Sequence, residues 1–532
     1  MPVYQRKRVA IIGGGCAGIT SFWALQNSIH DVHLFEASAN LGGRVKTLPF
    51  ENHECRIHVD TEPSLFNEDA SQNLHSLLHY IGQSVFPTTL NFSTSAGTSS
   101  VELGFDLLKE IVLDPEILCR FETWQMLFSI LRFRYLAVDL LLDKKRLSLS
   151  PLNRGQDDQS SLSVDEYLAN EGFSANFRDK YLIPLVSTLW GTDAGRFLAR
   201  FPIRPLVRSL FDHQLLCTPR STPRWQQLDQ PASQFMKTMA RDFPVTNVHL
   251  RSRVIELKTS ANHKGRFALT TSDNNTEYFD HIIFAVDSQE ILDILRPIIN
   301  ADEQDVLQAL GTSTHVGVLH SDPSLIPKPT STYNYITASD VLDGPIHISP
   351  SSKSNGPTKA CLTYNINTLR YVPETIFGRV AISKDPFTPP HPTFVQGVWE
   401  YTSSPSLNAR TPHAVSRLPS IQNKRGISYC LCWTGCGVWE DAVTSGLMVA
   451  VEHLGARVPF PVDRHGDGDA ASAEGKEICA DLRLRDHGIR TVLRVIYVCI
   501  LLAQVVLYLG LLGISRLPGR GVRRLLFGEK IL

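Results

Sequence analysis

The fold is decided by the stretch Arg8-Val-Ala-Ile-Ile-Gly13-Gly-Gly15-Cys16-Ala17-Gly18, followed by Val32-His-Leu-Phe-Glu36-Ala37. The apolar run before Gly13 predicts a buried parallel strand, and the glycine spacing predicts a tight turn into a helix whose N-terminus faces a pyrophosphate. Glu36 ends a second strand, where its carboxylate can accept hydrogen bonds from ribose hydroxyls. The stretch therefore predicts a βαβ unit that binds an adenine dinucleotide through Gly13, Gly15, Cys16, Ala17, Gly18, Glu36 and Ala37.

Composition excludes several classes of protein. The 532 residues include 52 Lys and Arg against 53 Asp and Glu, so the chain lacks the basic excess that nucleic-acid binding requires. Its ten cysteines contain no CxxC pair, which disfavours a zinc site or a disulfide framework. His53, Cys55 and His58 lie in a polar segment that is typical of a hairpin edge, so we predict no metal site.

Strand patterns indicate that the dinucleotide-binding domain is split along the chain. Alternating apolar residues and intervening turn residues predict consecutive strands near residues 248–285, and a strand followed by a helix near residues 429–454. The predicted division is residues 1–65, 236–295 and 421–460 for the nucleotide-binding domain, 66–235 and 296–420 for an interleaved α+β substrate domain, and 461–489 for a linker.

The C-terminal region contains a long apolar segment. Residues 495–514 carry no charge, and as a helix they would span about 30 Å, which is the thickness of a bilayer core. We therefore predict a single-pass transmembrane helix, followed by a short basic tail at 515–532, with the catalytic body in the cytosol. A buried helix of a globular body is the alternative.

Two further glycine-containing motifs indicate which dinucleotide is bound. Leu41-Gly42-Gly43-Arg44 resembles the second dinucleotide motif of the flavin amine oxidase superfamily, in which the arginine lies near the FAD diphosphate. Residues 432–446 predict a strand, a glycine turn and a helix whose N-terminus would stabilise negative charge on a reduced flavin.

Segments in register over residues 8–460 extend this resemblance to the flavin amine oxidase-like group of predicted NAD/FAD-binding oxidoreductases. They include Val59-Asp60-Thr61, Phe201-Pro202, Thr363-Tyr364 and the 435–446 segment. The resemblance implies an α/β fold with an FAD-binding Rossmann-type domain of the GR2-like kind. It also implies that the backbone of Val254 contacts the adenine and that residues 440–443 line the pyrimidine side of the flavin. The further cofactor residues that it implies are Gly42, Gly43, Arg44, Val254, Gly435, Glu440, Asp441 and Val443.

The chain departs from the pattern of this group at two places. Glu62 follows Val-Asp-Thr where the group usually has glycine, and Gln230-Pro231-Ala232 stands where a Gly-Gly-Ser turn is expected. A glutamate beside the flavin could change its potential, contact a cationic substrate or point away. The sequence leaves these three alternatives open.

The predicted function is that of an FAD-dependent oxidase. It would pass a hydride from a C–H bond of an amine or an apolar, membrane-partitioned molecule to flavin N5, with dioxygen as the electron acceptor. The residues predicted to face the substrate are Tyr364, Asn367, Trp433 and Trp439. The alternatives are an FAD-dependent desaturase or monooxygenase, and a redox-inactive membrane scaffold that FAD stabilises.

Overall fold

The computed structural model describes most of the chain. The described residues are 5–96, 99–102, 121–142, 162–216, 224–260, 266–325, 333–337, 360–386, 388–430, 438–463 and 484–515. Trp433 and Gly435, two of the predicted site residues, lie outside these ranges.

The described residues form the following strands and helices. The strands are β1 Arg8–Ile12, β2 Asp31–Phe35, β3 Thr47–Asn52, β4 Cys55–Asp60, β5 Leu65–Asn67, β6 Val85–Thr88, β7 Phe92–Ala96, β8 Ser99–Glu102, β9 Trp225–Leu228, β10 Val248–His249, β11 Val254–Thr259, β12 Phe267–Thr271, β13 Thr276–Phe279, β14 His281–Phe284, β15 Gly311–His320, β16 Tyr333–Thr337, β17 Ala360–Asn365, β18 Ala381–Lys384, β19 Val395–Ser406 and β20 Ile427–Tyr429. The helices are α1 Cys16–Leu25, α2 Gln72–Tyr80, α3 Phe121–Leu136, α4 Asp139–Leu142, α5 Val164–Asn170, α6 Ala175–Phe177, α7 Ile183–Trp190, α8 Ile203–Asp212, α9 Ala232–Met239, α10 Ser288–Leu295, α11 Ala301–Ala309, α12 Ile366–Arg370, α13 Glu374–Phe377, α14 Thr411–Ile421, α15 Val438–Met448 and α16 Leu484–Ser515.

A five-stranded parallel sheet organises the first layer of the molecule. Its strand order is β10-β2-β1-β14-β20, so it combines strands from three separate stretches of the chain. Residues 9–12 of β1 are at most 3% exposed, because a central parallel strand is covered on both faces. The buried strand predicted before Gly13 is therefore present at the centre of the sheet.

Helices and a small antiparallel sheet cover the two faces of this parallel sheet. On one face, α1 and α15 pack so closely that a Cβ at Gly446 would lie 2.6 Å from the carbonyl oxygen of Ala17. On the other face, the β11-β12-β13 sheet packs with α10, α11 and α14 around buried Phe267 and Phe284. The arrangement exposes the carboxyl ends of β1 and β2, where ligands bind in open α/β sheets.

A second sheet of seven strands lies beyond this end of the parallel sheet. Its order is β19-β15-β18-β17-β16-β7-β8, and all neighbours are antiparallel except β16 and β7. One hydrophobic core joins it to helices α3 to α8, with Phe133, Phe177 and Leu206 fully buried. The sheet thus provides a rigid wall opposite the glycine loop.

The C-terminal helix α16 begins at Leu484, inside the segment predicted as a linker, and its first part packs on the body. Leu493 is 6% exposed within the core, and Arg494 Nη2 lies 2.6 Å from Asp139 Oδ2. Over the residues that the structure describes, no helix is both long enough and apolar enough to cross a bilayer. The predicted transmembrane helix at 495–514 is therefore not supported, and the cytosolic location of the body stays a prediction.

Candidate active site

The glycine loop after β1 forms a cradle at the N-terminus of α1. Gly13 has a φ of 108°, and a Cβ there would lie 2.5 Å from the carbonyl oxygen of Ala285. At Gly15 a Cβ would meet only the Cα of Gly43, at 3.9 Å, so this position faces open space. Gly15 caps α1 without a side-chain hydrogen bond, which leaves the first helix amides available to an anion. Cys16 and Ala17 form the first turn above the cradle.

Glu36 stands at the carboxyl end of β2, beside the cradle. Its Oε2 accepts a hydrogen bond from the amide of Gly14 at 2.7 Å, and its Oε1 accepts two from Ser38, both at 2.7 Å. A carboxylate has about four acceptor positions, so one remains for a ribose hydroxyl. The amide of Ser252 donates to the Glu36 carbonyl at 2.9 Å, which brings the start of β11 at Val254 to the same place.

The second glycine motif packs directly on the first. The amide of Gly42 donates to the Gly14 carbonyl at 2.8 Å, and a Cβ at Gly43 would lie 2.8 Å from the Cα of Gly15. The following Arg44 is thereby held beside the cradle. This contact between two glycine motifs fits a bound diphosphate, because each side chain that would obstruct the approach is absent.

A cavity of about 390 Å³ opens between the cradle and the seven-stranded sheet. Its lining includes two predicted substrate-facing residues, Tyr364 and Trp439, and two predicted cofactor residues, Glu440 and Asp441. Of the other 24 lining residues, twelve are apolar or aromatic: Pro63, Leu65, Phe66, Leu189, Trp190, Phe201, Pro205, Trp225, Tyr333, Leu407, Pro412 and Val415.

Two other predicted residues, Asn367 and Val443, are not part of the described cavity lining. Asn367 is absent from the described lining; its amide nitrogen donates to the carbonyls of Val372 and Gly378, and its oxygen accepts from the Val380 amide at 2.7 Å. The Asn367 side chain therefore holds the backbone between α12 and β18 in place. Val443 is completely buried in the α15 packing.

Glu440 has a clear structural task. Its carboxylate accepts hydrogen bonds from the amides of Asn73 and Leu74, at 3.1 and 2.8 Å, and from the hydroxyl of Thr444. These two amides belong to the first turn of α2, whose N-terminus attracts negative charge. Glu440 thus fastens α2 to α15, and it is 1% exposed.

Three charged side chains meet at one side of the cavity. Glu62 Oε1 lies 3.6 Å from Lys384 Nζ, and Glu62 Oε2 lies 3.8 Å from Arg44 Nε. Burial alone would raise the pKa of Glu62, but the two cations outweigh burial and hold its pKa below the ordinary value. Burial lowers the pKa of Lys384, and the Glu62 carboxylate opposes this shift.

Lys384 was not among the predicted site residues, although Glu62 stood out as a departure from the family pattern. Lys384 ends β18, and its side chain is 7% exposed. The next residue, Asp385, accepts from the Val316 amide at 3.0 Å and lies 2.5 Å from Nδ1 of buried His315. These bonds fix the end of β18 and therefore the backbone from which the Lys384 side chain extends. A lysine at the end of the short strand Ala381–Lys384 was the sequence signal.

Comparison with known proteins places the chain among flavoproteins. The model of the family described as flavin containing amine oxidoreductase matches residues 16–321. A search of curated proteins finds no match.

Solved structures share the fold over most of the chain. Putrescine oxidase bound to putrescine aligns with a TM-score of 0.57 at 16% identity, over 84% of this chain and 99% of that one. A provisionally named protoporphyrinogen oxidase from Exiguobacterium sp. 255-15 aligns at 0.54 and 16%, over 84% and 98%. A CLA-producing fatty acid isomerase from P. acnes aligns at 0.51 and 13%, over 84% and 98%. These likenesses confirm the predicted α/β fold, and at such identities they concern the fold alone.

Proposed function

This chain belongs to the flavin-containing amine oxidoreductase family, and from that premise we propose that it removes a hydride from a C–H bond of a small apolar molecule. The family match covers residues 16–321, more than half of the 532-residue chain, so the protein is an FAD-dependent oxidoreductase. Bound FAD supplies the capacity to accept the hydride, which carries two electrons. The nature of the substrate is the new part of the proposal.

The observation that carries the proposal is the composition of the cavity. One end is formed by Arg44, which the cradle holds beside Gly43, and by the first turn of α15. The other walls contain Trp190, Phe201 and Trp225. The flavin ring and the substrate would share this cavity of about 390 Å³, and its apolar and aromatic residues suit a small ligand bound mainly by apolar contact.

Aromatic side chains would hold such a ligand flat. Tyr364 makes an edge-to-face contact with Tyr333, with 5.1 Å between ring centroids, and Trp439 packs edge-on against Phe235 at 6.1 Å. Burial raises the pKa of the Tyr364 phenol well above its ordinary value. Tyr364 therefore stays protonated at neutral pH and acts as a wall and hydrogen-bond donor rather than as a base.

The proposed oxidase activity is tested on the purified full-length protein with its FAD. After anaerobic photoreduction, the solution is mixed with air while flavin absorbance and hydrogen peroxide are recorded. We expect rapid return of the oxidised spectrum and stoichiometric peroxide, because an oxidase uses dioxygen as its acceptor. A flavin that cannot be reduced, or that stays reduced in air, would contradict the oxidase and favour the redox-inactive scaffold.

Amine oxidation and C–C desaturation are separated by their products. Incubation in air with extracts of small apolar metabolites, followed by mass spectrometry, shows whether the substrate loses two hydrogens with or without loss of nitrogen. We expect loss of two hydrogens from an apolar compound that lacks a charged group near the reacting carbon. Gain of one oxygen atom would instead identify a monooxygenase.

A further inference from the structure

We propose that Glu62 and Lys384 form a charge-neutral pair that makes the cavity select a substrate that is uncharged at its reacting end. The inference rests on the proposed function and narrows its substrate class. It assigns a task to Glu62, which stands where the family pattern has glycine.

The geometry shows that both charges are already satisfied by the protein. Lys384 Nζ donates to the carbonyl oxygen of Gly191 at 2.9 Å, lies 3.6 Å from Glu62 and lies 5.0 Å from the ring centroid of Tyr401. The side chains of Glu62 and Lys384 are only 17% and 7% exposed. Neither group therefore needs a charged ligand to compensate for its loss of water.

Arg44 contributes its charge on the cofactor side. It lies 3.8 Å from Glu62, and it follows Gly43, which packs against Gly15 at the N-terminus of α1. A diphosphate bound in the cradle would balance this arginine. The charges that remain beside the substrate are those of Glu62 and Lys384, which cancel each other.

The other acids and bases in the described lining, tyrosines aside, are occupied by the protein. Glu440 is bound to the first turn of α2. Asp441 lies in the first turn of α15, is 4% exposed, and is stabilised by the positive end of that helix. His213 bonds the Ser209 carbonyl at 2.8 Å through Nδ1 and stacks on Trp225.

A poorly solvated site then discriminates against both kinds of charge, because a charged ligand group loses its hydration there. A cationic group would have to compete with Lys384 for Glu62, and an anionic group would have to compete with Glu62 for Lys384. An uncharged group leaves the pair intact. The cavity should therefore prefer a neutral ligand over charged ligands of the same shape.

The test uses the full-length holoprotein and three probes of similar shape: benzyl alcohol, benzylamine and benzoate. Dissociation constants at pH 7 are measured from the perturbation of the flavin spectrum. We expect benzyl alcohol to bind at least tenfold more tightly than either charged probe. Glu62→Gln should improve benzoate binding at least tenfold. Lys384→Met should improve benzylamine binding to a similar extent. In the double variant, benzyl alcohol should again bind more tightly than either charged probe.

An exposed ion pair provides the matched control. Lys258 Nζ lies 2.6 Å from Glu256, and the lysine side chain is 59% exposed, so Lys258→Met should leave all three constants unchanged. Wild-type protein that binds benzylamine or benzoate as tightly as benzyl alcohol would overturn the inference, even if the single variants fail to fold. Single variants that change the dissociation constants of all three probes equally would also overturn the inference.

The outcome is independent of turnover. A holoprotein that shows the neutral preference and its two reversals, yet oxidises no substrate, would support the pair while refuting the proposed oxidation. Failure to bind FAD, measured by absorbance, would refute the proposed function separately. If the protein binds no FAD, calorimetry with the same three probes measures the charge selectivity of the cavity.

Discussion

At the scale of single residues, Gly15 is the position on which cofactor binding depends most directly. Its missing Cβ leaves open space above the first amides of α1. We expect Gly15→Val to yield a folded but colourless protein, because the valine would occupy the place of the diphosphate. Flavin content after purification, measured by absorbance at denaturation, provides the readout.

A glycine elsewhere controls for general effects of substitution. Beyond the backbone of its own helix, a Cβ added at Gly488 in α16 would meet no atom within 4 Å, so Gly488→Ala should retain full flavin content. If Gly15→Val also retained one FAD per chain, the assignment of the cradle would be wrong.

A short local pattern dictates the geometry around the glycine loop. Gly13, Gly15, Gly18 and Glu36 meet at one end of the sheet because a strand, a turn and a helix of fixed length leave no other arrangement. Lys384 could not be found in this way. Its contact with Glu62 depends on how the β3-β4 sheet and the seven-stranded sheet pack together, and no local sequence pattern encodes that packing. The cofactor roles assigned to individual residues stay predictions.

At the scale of secondary-structure elements, helix α16 is the main surprise. Its apolar segment predicted a membrane span, yet the first part of the helix packs on α3 and on the turn after α5. Arg132 stacks between Phe173 and Tyr497, at 3.8 and 4.5 Å from their ring centroids, and the Tyr497 hydroxyl donates to the Glu171 carbonyl. Hydrophobicity alone could not reveal these polar and aromatic partners.

Two truncations test whether the first part of α16 stabilises the body of the protein. Removal of residues 484–532 should lower the free energy of unfolding by about 3 kcal/mol, since it exposes the site of Leu493 and removes a cation–π contact. Removal of residues 504–532 keeps these contacts, so this protein should be about 3 kcal/mol more stable than the one that lacks residues 484–532. Urea unfolding followed by tryptophan fluorescence measures both. Equal stability of the two truncated proteins would show that α16 does not support the body.

At the scale of the whole molecule, the parallel sheet joins parts of the chain that the sequence separates. The pairing of β1 with β14 and of β14 with β20 brings residues 9–12, 281–284 and 427–429 into one layer. Strand patterns indicated these pieces, since buried parallel strands are uniformly apolar. The predicted domain boundaries stay predictions.

The way in which the cradle is assembled makes stability depend on the cofactor. Strands β1 and β2, the Gly42–Gly43 motif and the start of β11 all meet beside the predicted diphosphate, so FAD should bind the folded state and not the unfolded chain. At a free concentration one hundred times the dissociation constant, binding should add about 2.7 kcal/mol to the free energy of unfolding. Thermal or urea unfolding of protein stripped of flavin, with and without added FAD, measures this gain. The same addition should leave Gly15→Val unchanged, and an equal gain in that variant would show that FAD stabilises the protein from somewhere other than the cradle.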